Sequence, residues 1–188
     1  MLDTYDIRTA EMPGEMQILL EQYPRDSWET HPGFTEKTRH WLGAHLMFRR
    51  LARLVRSDAE SYLGKDLSPE EYAARLSHYG NALVGNLHGH HGWEDHSYFP
   101  ELSAADSRFD AGLNVLEKDH ADLDLVLDQY TRTANRVIKL IQLDEVQARS
   151  EVGSLRDTSE AIEAFLKRHL GDEEDLAVPI ILHHRLRG

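Results

Sequence analysis

Two stretches of the sequence repeat the same spacing of side chains that bind metals. Each begins with a histidine and has acidic residues four and five positions later and a proline ten positions later. On a helix, residues four apart project from one face, and imidazole with carboxylate suits iron, manganese and zinc. The repeat therefore predicts two matching metal half-sites. The stretches comprise His90, Glu94, Asp95 and Pro100, and then His169, Glu173, Glu174 and Pro179.

Histidines also interrupt the apolar faces of the helices that would carry or oppose these stretches. Apolar residues recur every three or four positions, which is the spacing of amphipathic helices. The apolar face of residues 34–63 is interrupted at His45, and that of residues 106–143 at His120. The two repeated stretches interrupt the other two faces in the same way. Each predicted helix therefore buries one histidine, and two of them bury a carboxylate one turn later.

Burial of these carboxylates needs a compensating partner. A carboxylate placed among leucines without one costs several kcal/mol or takes up a proton. Neither lysine nor arginine fills the gaps in the four apolar faces. Bound metal is therefore the simplest explanation, and two ions suit two half-sites better than one.

Glycine, proline and capping residues divide the chain into long helices joined by short connections. Ser68, Pro69 and Glu71 form a helix start of the capping-box type. We therefore expect an all-α, up-down-up-down antiparallel four-helix bundle over residues 34–188, with residues 1–33 as an N-terminal extension containing a short helical segment. The four helices are predicted at residues 34–63, 68 to about 100, 106–143 and 145–177, with continuation beyond Pro179 left open.

Composition excludes several classes of partner and site. The chain of 188 residues has a formal net charge of −12, which disfavours nucleic acid and anionic membranes as partners. It contains no cysteine, so disulfides, thiolate metal sites and cysteine nucleophiles are excluded. The N-terminus lacks the basic start and apolar run of a signal peptide. We expect a cytoplasmic protein, with monomer and homodimer both open.

The four segments together resemble the hemerythrin-like proteins with the HHE cation-binding domain. The resemblance covers residues 34–182 and lies in "HHGWEDHSYFP", its second copy "HLGDEEDLAVP", and "AHLMFRRL" and "KDHADLDL" on the partner helices. It implies a pair of non-haem iron ions joined by carboxylates and by an oxo or hydroxo bridge. The implied ligands are His45, His90, Glu94, His120, His169 and Glu173, with Glu94 and Glu173 as the bridging carboxylates.

The sequence departs from the family pattern at one ligand position. Oxygen-carrying members resemble it but have a second histidine one turn after the third-helix histidine, where this chain has Asp124. The fifth histidine is therefore absent or supplied from elsewhere. His91, about 100° around the helix from His90, is one candidate, as a ligand or as a hydrogen-bonding neighbour, and Asp124 itself is another. Because family members place the last carboxylate at either of two positions, Glu174 is an alternative ligand.

The resemblance implies a protein that binds or reacts with oxygen, peroxide or nitric oxide at the di-iron site. Carriage and sensing need only reversible binding, whereas a catalase-like or peroxidase-like activity needs the iron to cycle, and the sequence leaves these open. An iron buffer or storage protein, or a sensor without catalysis, is the alternative. A third class is an interaction bundle whose histidines never bind metal.

Overall fold

The chain folds into helices throughout the part that the structure describes. The computed structural model describes residues 8, 10 and 12–186, and it contains no strand within them. The α-helices are α1 (Ile18–Gln22), α2 (Glu36–Gly64), α3 (Pro69–Trp93), α4 (Phe99–Ala105), α5 (Asp110–Leu143) and α6 (Glu145–His184). The prediction of an all-α chain with four long helices is therefore confirmed. None of the described helices is long and apolar enough to span a membrane.

Local hydrogen bonds explain where the long helices begin and end. The backbone N–H of Glu71 donates to Ser68 Oγ at 3.2 Å, which caps the start of α3 as the sequence predicts. Asp144 caps α6 by accepting a hydrogen bond from the backbone N–H of Gln147 at 3.0 Å. The chain leaves α2 through Lys65, whose φ of 68° is left-handed. The resulting connections are short, so α2 with α3 and α5 with α6 form antiparallel hairpins.

The second predicted helix is not one regular α-helix. It changes at Glu94–Tyr98 into a π turn, in which the backbone N–H of Phe99 donates to the carbonyl of Glu94, and then continues as α4. Pro100 lies in the first turn of α4, where its missing N–H is tolerated. The equivalent Pro179 lies within the uninterrupted α6, which extends beyond the predicted limit at residue 177.

Two compact units can be distinguished along the chain. The first contains residues 47–89 and 122–166. Its core is apolar and aromatic: the rings of Tyr62 and Tyr72 stack with centroids 4.8 Å apart, and Leu83 and Leu127 are fully buried. An ion pair between Arg75 and Asp58 at 2.7 Å joins α2 to α3 within this unit.

The second unit contains the described residues up to 46 together with 90–121 and 167–186. The N-terminal extension, residues 1–33, is called the N-terminal segment below. Several of its described residues belong to the apolar core of this unit, where Met12, Leu19 and Trp28 are buried together with Phe99 and Ile180. Two 3₁₀ turns, Gly14–Gln17 and Arg25–Thr30, flank α1 in this segment. The unit also buries most of the predicted metal ligands.

The first unit allows a paired test of packing on α5. We expect Leu127→Ala to lower the free energy of unfolding by about 2 to 5 kcal/mol, because this fully buried side chain would leave a cavity. Leu125 on the same helix is 68% exposed, so Leu125→Ala should change it by less than about 0.5 kcal/mol. Urea unfolding of the metal-free variants measures both. Equal effects would contradict the packing of α5.

Candidate metal centre

Seven histidine and glutamate side chains gather in two groups within the second unit. In each group, one ligand atom from every residue lies within 4.8 Å of the corresponding atoms of the others. The first group combines two histidines with two glutamates, and the second consists of three histidines. The first comprises His45, His90, Glu94 and Glu173, and the second comprises His91, His120 and His169.

The first group brings two imidazoles against buried carboxylate oxygens. His45 Nε2 lies 3.0 Å from His90 Nε2, and His90 Nε2 lies 2.9 Å from Glu94 Oε1. Glu173 Oε2 lies 3.5 Å from His45 Nε2. The indole N–H of Trp41 donates to Glu94 Oε1 at 2.7 Å and holds that oxygen in place. Nitrogen and oxygen donors from three helical segments therefore meet at one position.

The second group packs three imidazoles against one another. The rings of His91 and His120 stack with centroids 4.0 Å apart, and His169 meets the His120 ring edge-on at 4.9 Å. Burial, with the neighbouring histidines, lowers the pKa of His91 well below its ordinary value. Burial likewise lowers the pKa of His169 to about 4. These two imidazoles are therefore neutral at pH 7, which is the form that binds metal.

Glu94 and Glu173 belong to the first group and also approach histidines of the second. Glu94 directs Oε1 toward His90, whereas its Oε2 lies 3.7 Å from His120 Nε2. Glu173 Oε2 lies 3.5 Å from His45 Nε2 and 3.8 Å from His169 Nε2. Each carboxylate therefore contacts a histidine from both groups, as a carboxylate shared by two cations would.

One helical stretch, the end of α3 with the π turn that follows it, serves both groups. A π turn accommodates an extra residue and so changes which face the following residues present. His90 and His91 lie on α3 before this turn and join different groups, whereas Glu94 is the first residue of the turn and reaches both groups. On a regular helix His91 would point about 100° away from His90. Here His45 lies in the direction of His90, and His120 and His169 lie in the direction of His91.

Several buried side-chain nitrogen and oxygen atoms at this centre have no hydrogen-bond partner among the described residues. They are both ring nitrogens of His91, Nε2 of His120, Oε2 of Glu94 and both oxygens of Glu173. Buried polar atoms are nearly always paired, and an unpaired one costs about 1 to 3 kcal/mol. Because the orphaned atoms belong to residues of the two groups, they match the donor set that a bound metal requires.

Comparison with known families agrees with this geometry. The hemerythrin HHE cation-binding domain model matches residues 36–181. This chain belongs to the hemerythrin HHE family. Comparisons with curated proteins and with solved structures give no match. Family membership and the two groups together make the chain a metal-binding helical bundle.

Acidic residues behind the histidines fix their ring orientation in this hemerythrin HHE domain. His120 Nδ1 lies 2.7 Å from Asp95 Oδ1, and His45 Nδ1 lies 3.1 Å from Glu174 Oε1. An acid that accepts the second ring N–H leaves Nε2 available to metal. Each repeated stretch thus uses the acid four positions after its histidine for the centre and the acid five positions after it to orient a histidine of a different helix.

Asp119 plays the same role for His169. Its Oδ2 lies 3.3 Å from His169 Nδ1 and also accepts hydrogen bonds from Arg8 at 2.7 Å and Arg168 at 3.0 Å. Burial alone would raise the pKa of Asp119, but the hydrogen bonds from His169 and Arg8 hold it well below its ordinary value. Asp119 is therefore an ionised acceptor.

The two central carboxylates affect each other. Burial, together with the negative charge of Glu94, raises the pKa of Glu173 well above its ordinary value. Burial would raise the pKa of Glu94 as well, but hydrogen bonding to His45 and His90 brings it well below its ordinary value. Without metal the pair therefore keeps a proton on Glu173.

The structure brings all six principal candidates from the sequence into the two groups, and His91 with them. Asp124 belongs to neither group: its half-exposed carboxylate lies 3.3 Å from His88 Nε2. Glu174 belongs to neither group and instead accepts from His45. Sequence reasoning did not assign roles to Trp41 or Asp119. Their positions, one turn before His45 and directly before His120, were the available signals.

We expect Glu173→Gln to act oppositely on the metal-free and metal-loaded protein. The metal-free variant should be more stable by about 1 to 3 kcal/mol, because it no longer buries an acid beside Glu94. The same variant should lose most of the stabilisation that metal gives the wild type, because it lacks a carboxylate ligand. Thermal unfolding with and without metal measures both effects.

Glu160→Gln is the matched control, since Glu160 is exposed on the same helix. It should leave both stabilities within about 0.5 kcal/mol of the wild type. A metal-free Glu173→Gln protein that is less stable than the wild type would contradict the destabilising role of this carboxylate.

Proposed function

We propose that this hemerythrin HHE domain holds two iron ions and binds or reacts there with oxygen, peroxide or nitric oxide. The observation that carries the proposal is the position of Glu94 and Glu173, each of which contacts histidines of both groups. A donor set of nitrogen and oxygen without sulfur suits iron. When bound, iron supplies reversible electron transfer and open coordination positions for small ligands.

The proposed ligand set uses every member of the two groups. His91, His120 and His169 would hold one ion, and His45 with His90 would hold the other. Glu94 and Glu173 would serve both. His91 then takes the place of the histidine that oxygen-carrying members have where this chain has Asp124. Its stacking on His120 and its orphaned nitrogens support this assignment.

A pocket beside His90 supports reaction with a small molecule from solution. The pocket has a volume of about 560 Å³, and its walls include Trp41, Trp93, Tyr98 and His90. The His90 side chain is 9% exposed, whereas those of His45, Glu94 and Glu173 are fully buried. A small ligand would therefore approach the centre past His90, through mainly apolar walls that limit access by bulk water.

The walls of the pocket also help to hold the centre. Trp41 donates to Glu94 and therefore positions this carboxylate from the pocket side. Burial raises the pKa of Tyr98 well above its ordinary value. Tyr98 consequently stays a neutral phenol, and it stacks against Trp93 with ring centroids 4.8 Å apart.

Metal analysis with optical spectroscopy of the anaerobically reduced protein tests the proposal. We expect about two iron ions per chain and a new absorption band when air, peroxide or nitric oxide is added. Peroxide turnover would then distinguish a catalyst from a carrier or sensor. Rapid exchange of iron without any response to these ligands would support an iron buffer instead. Absence of bound metal, with thermal stability unaffected by a chelator, would overturn the proposal.

The assignment of His91 yields a direct comparison with Asp124. His91→Ala should lower the iron content, because it removes one of three histidines from one proposed iron position. Asp124→Ala should retain the wild-type iron content, because Asp124 is half-exposed beside His88. Metal analysis after removal of loosely bound iron measures both. Iron loss from Asp124→Ala with full retention by His91→Ala would reverse the assignment.

A further inference from the structure

Two arginines outside the ligand-bearing helices reach the acids that orient metal-site histidines. Arg25, in the 3₁₀ turn before α2, donates through Nη1 to Glu174 Oε2 at 2.7 Å. It also donates through Nε to Asp175 at 2.7 Å and through Nη2 to the carbonyl of Gly171 at 3.0 Å. Since Glu174 Oε1 lies against His45, the two oxygens of one carboxylate join Arg25 to a proposed ligand.

Arg8 makes the corresponding contact to a different histidine. Its Nη2 donates to Asp119 Oδ2 at 2.7 Å and its Nε donates to Asp119 Oδ1 at 3.2 Å, which is a two-pronged contact. Nη2 also lies 2.7 Å from Asp172 Oδ2. Asp119 Oδ2 in turn lies 3.3 Å from His169 Nδ1. The N-terminal segment therefore reaches one histidine of each group through one arginine and one acid.

The third orienting acid is an internal comparison. Asp95 lies against His120 at 2.7 Å and is about one-third exposed. In the described part of the chain no arginine contacts it. By contrast, the Glu174 and Asp119 side chains are only 6% and 1% exposed. The arginines thus pair with the two buried acids, which solvent cannot stabilise.

The chemistry of these contacts suggests what they do. An ionised carboxylate buried without a partner is strongly destabilising, and Glu174 lies next to the buried Glu173. A guanidinium fixes the position of a carboxylate as well as its charge state. An acid fixed in this way can hold its histidine with Nε2 directed at the metal.

We propose that Arg8 and Arg25 are positioning residues through which the N-terminal segment closes on the metal centre and slows metal release. This inference rests on the proposed function. Coupling between two sites is reciprocal. Metal in the centre therefore holds the segment in place, and detachment of the segment removes one arginine contact from each of the acids that orient His45 and His169, while Asp119 keeps its contact with Arg168.

The rate of iron transfer to a chelator tests this role without any assay of activity. Arg25→Gln and Arg8→Gln should each release iron up to about 10-fold faster than the wild type, because loss of a ligand's own partner costs about 10- to 100-fold in metal affinity and each arginine acts through such a partner. Arg25→Lys should restore part of the retention. Arg39→Gln is the control, because Arg39 makes only long ion pairs, of 3.7 Å to Glu29 and 3.6 Å to Glu36, and both acids are well exposed. Iron release from this variant should be as slow as from the wild type.

A double-variant cycle separates positioning from general loosening of the fold. If Arg25 acts through Glu174, iron release from the double variant Arg25→Gln/Glu174→Gln should be no faster than from Glu174→Gln alone. If the two substitutions instead multiply each other's effect on the release rate, the proposal is overturned. It is also overturned if Arg25→Gln and Arg8→Gln both release iron as slowly as Arg39→Gln.

Hydrogen exchange gives the reciprocal readout in the wild-type protein. The backbone amides of residues 12–33 should exchange at least several-fold more slowly when iron is bound than in the metal-free protein. Equal exchange in both forms would overturn the coupling. A wild-type chain that retains no iron would instead overturn the proposed function. Full iron content with unchanged release from the arginine variants would overturn only the present inference.

Discussion

The burial of Glu94 and Glu173 beside one another is the constraint on which the second unit depends. Neither side chain has exposed surface, and burial beside Glu94 raises the pKa of Glu173 well above its ordinary value. Outward from this pair, layers of basic and acidic side chains alternate. Histidines surround the two carboxylates, further carboxylates accept hydrogen bonds from the histidines, and arginines contact two of those outer acids. Each layer stabilises the charge or the orientation of the layer inside it.

The internal repeat acquires a physical meaning from this arrangement. The acids four positions after its histidine, Glu94 and Glu173, lie at the centre, whereas those five positions after it, Asp95 and Glu174, orient histidines of other helices. The two copies differ in their backbone, because the first contains a π turn and the second continues through α6. In the first copy, His90 and His91 precede that turn on α3, and their different directions place consecutive histidines in different groups.

The long helices and most of the buried histidines could be predicted from the sequence, because they depend on local, periodic spacing of apolar residues. Histidines that interrupt apolar helical faces must be buried where those faces pack. The burial of His45 and His120 could therefore be predicted from spacing alone. The role of His91 did not follow, because a regular helix turns it away from His90 and only the tertiary fold shows that His120 and His169 lie in that direction. Arg8 and Asp119 are 111 positions apart, and only the tertiary fold brings such residues together.

The arginines are informative because this chain has so few cations relative to acids. With 21 lysines and arginines against 33 acidic residues, at least 12 acids have no lysine or arginine of their own and depend on water or on a shared cation. Asp95 is exposed enough for that, whereas Asp119 and Glu174 are not. An arginine from the N-terminal segment pairs with each of those two. The segment therefore does more than cover apolar surface with Met12 and Trp28, since it supplies positive charge where water cannot stabilise the outer acids.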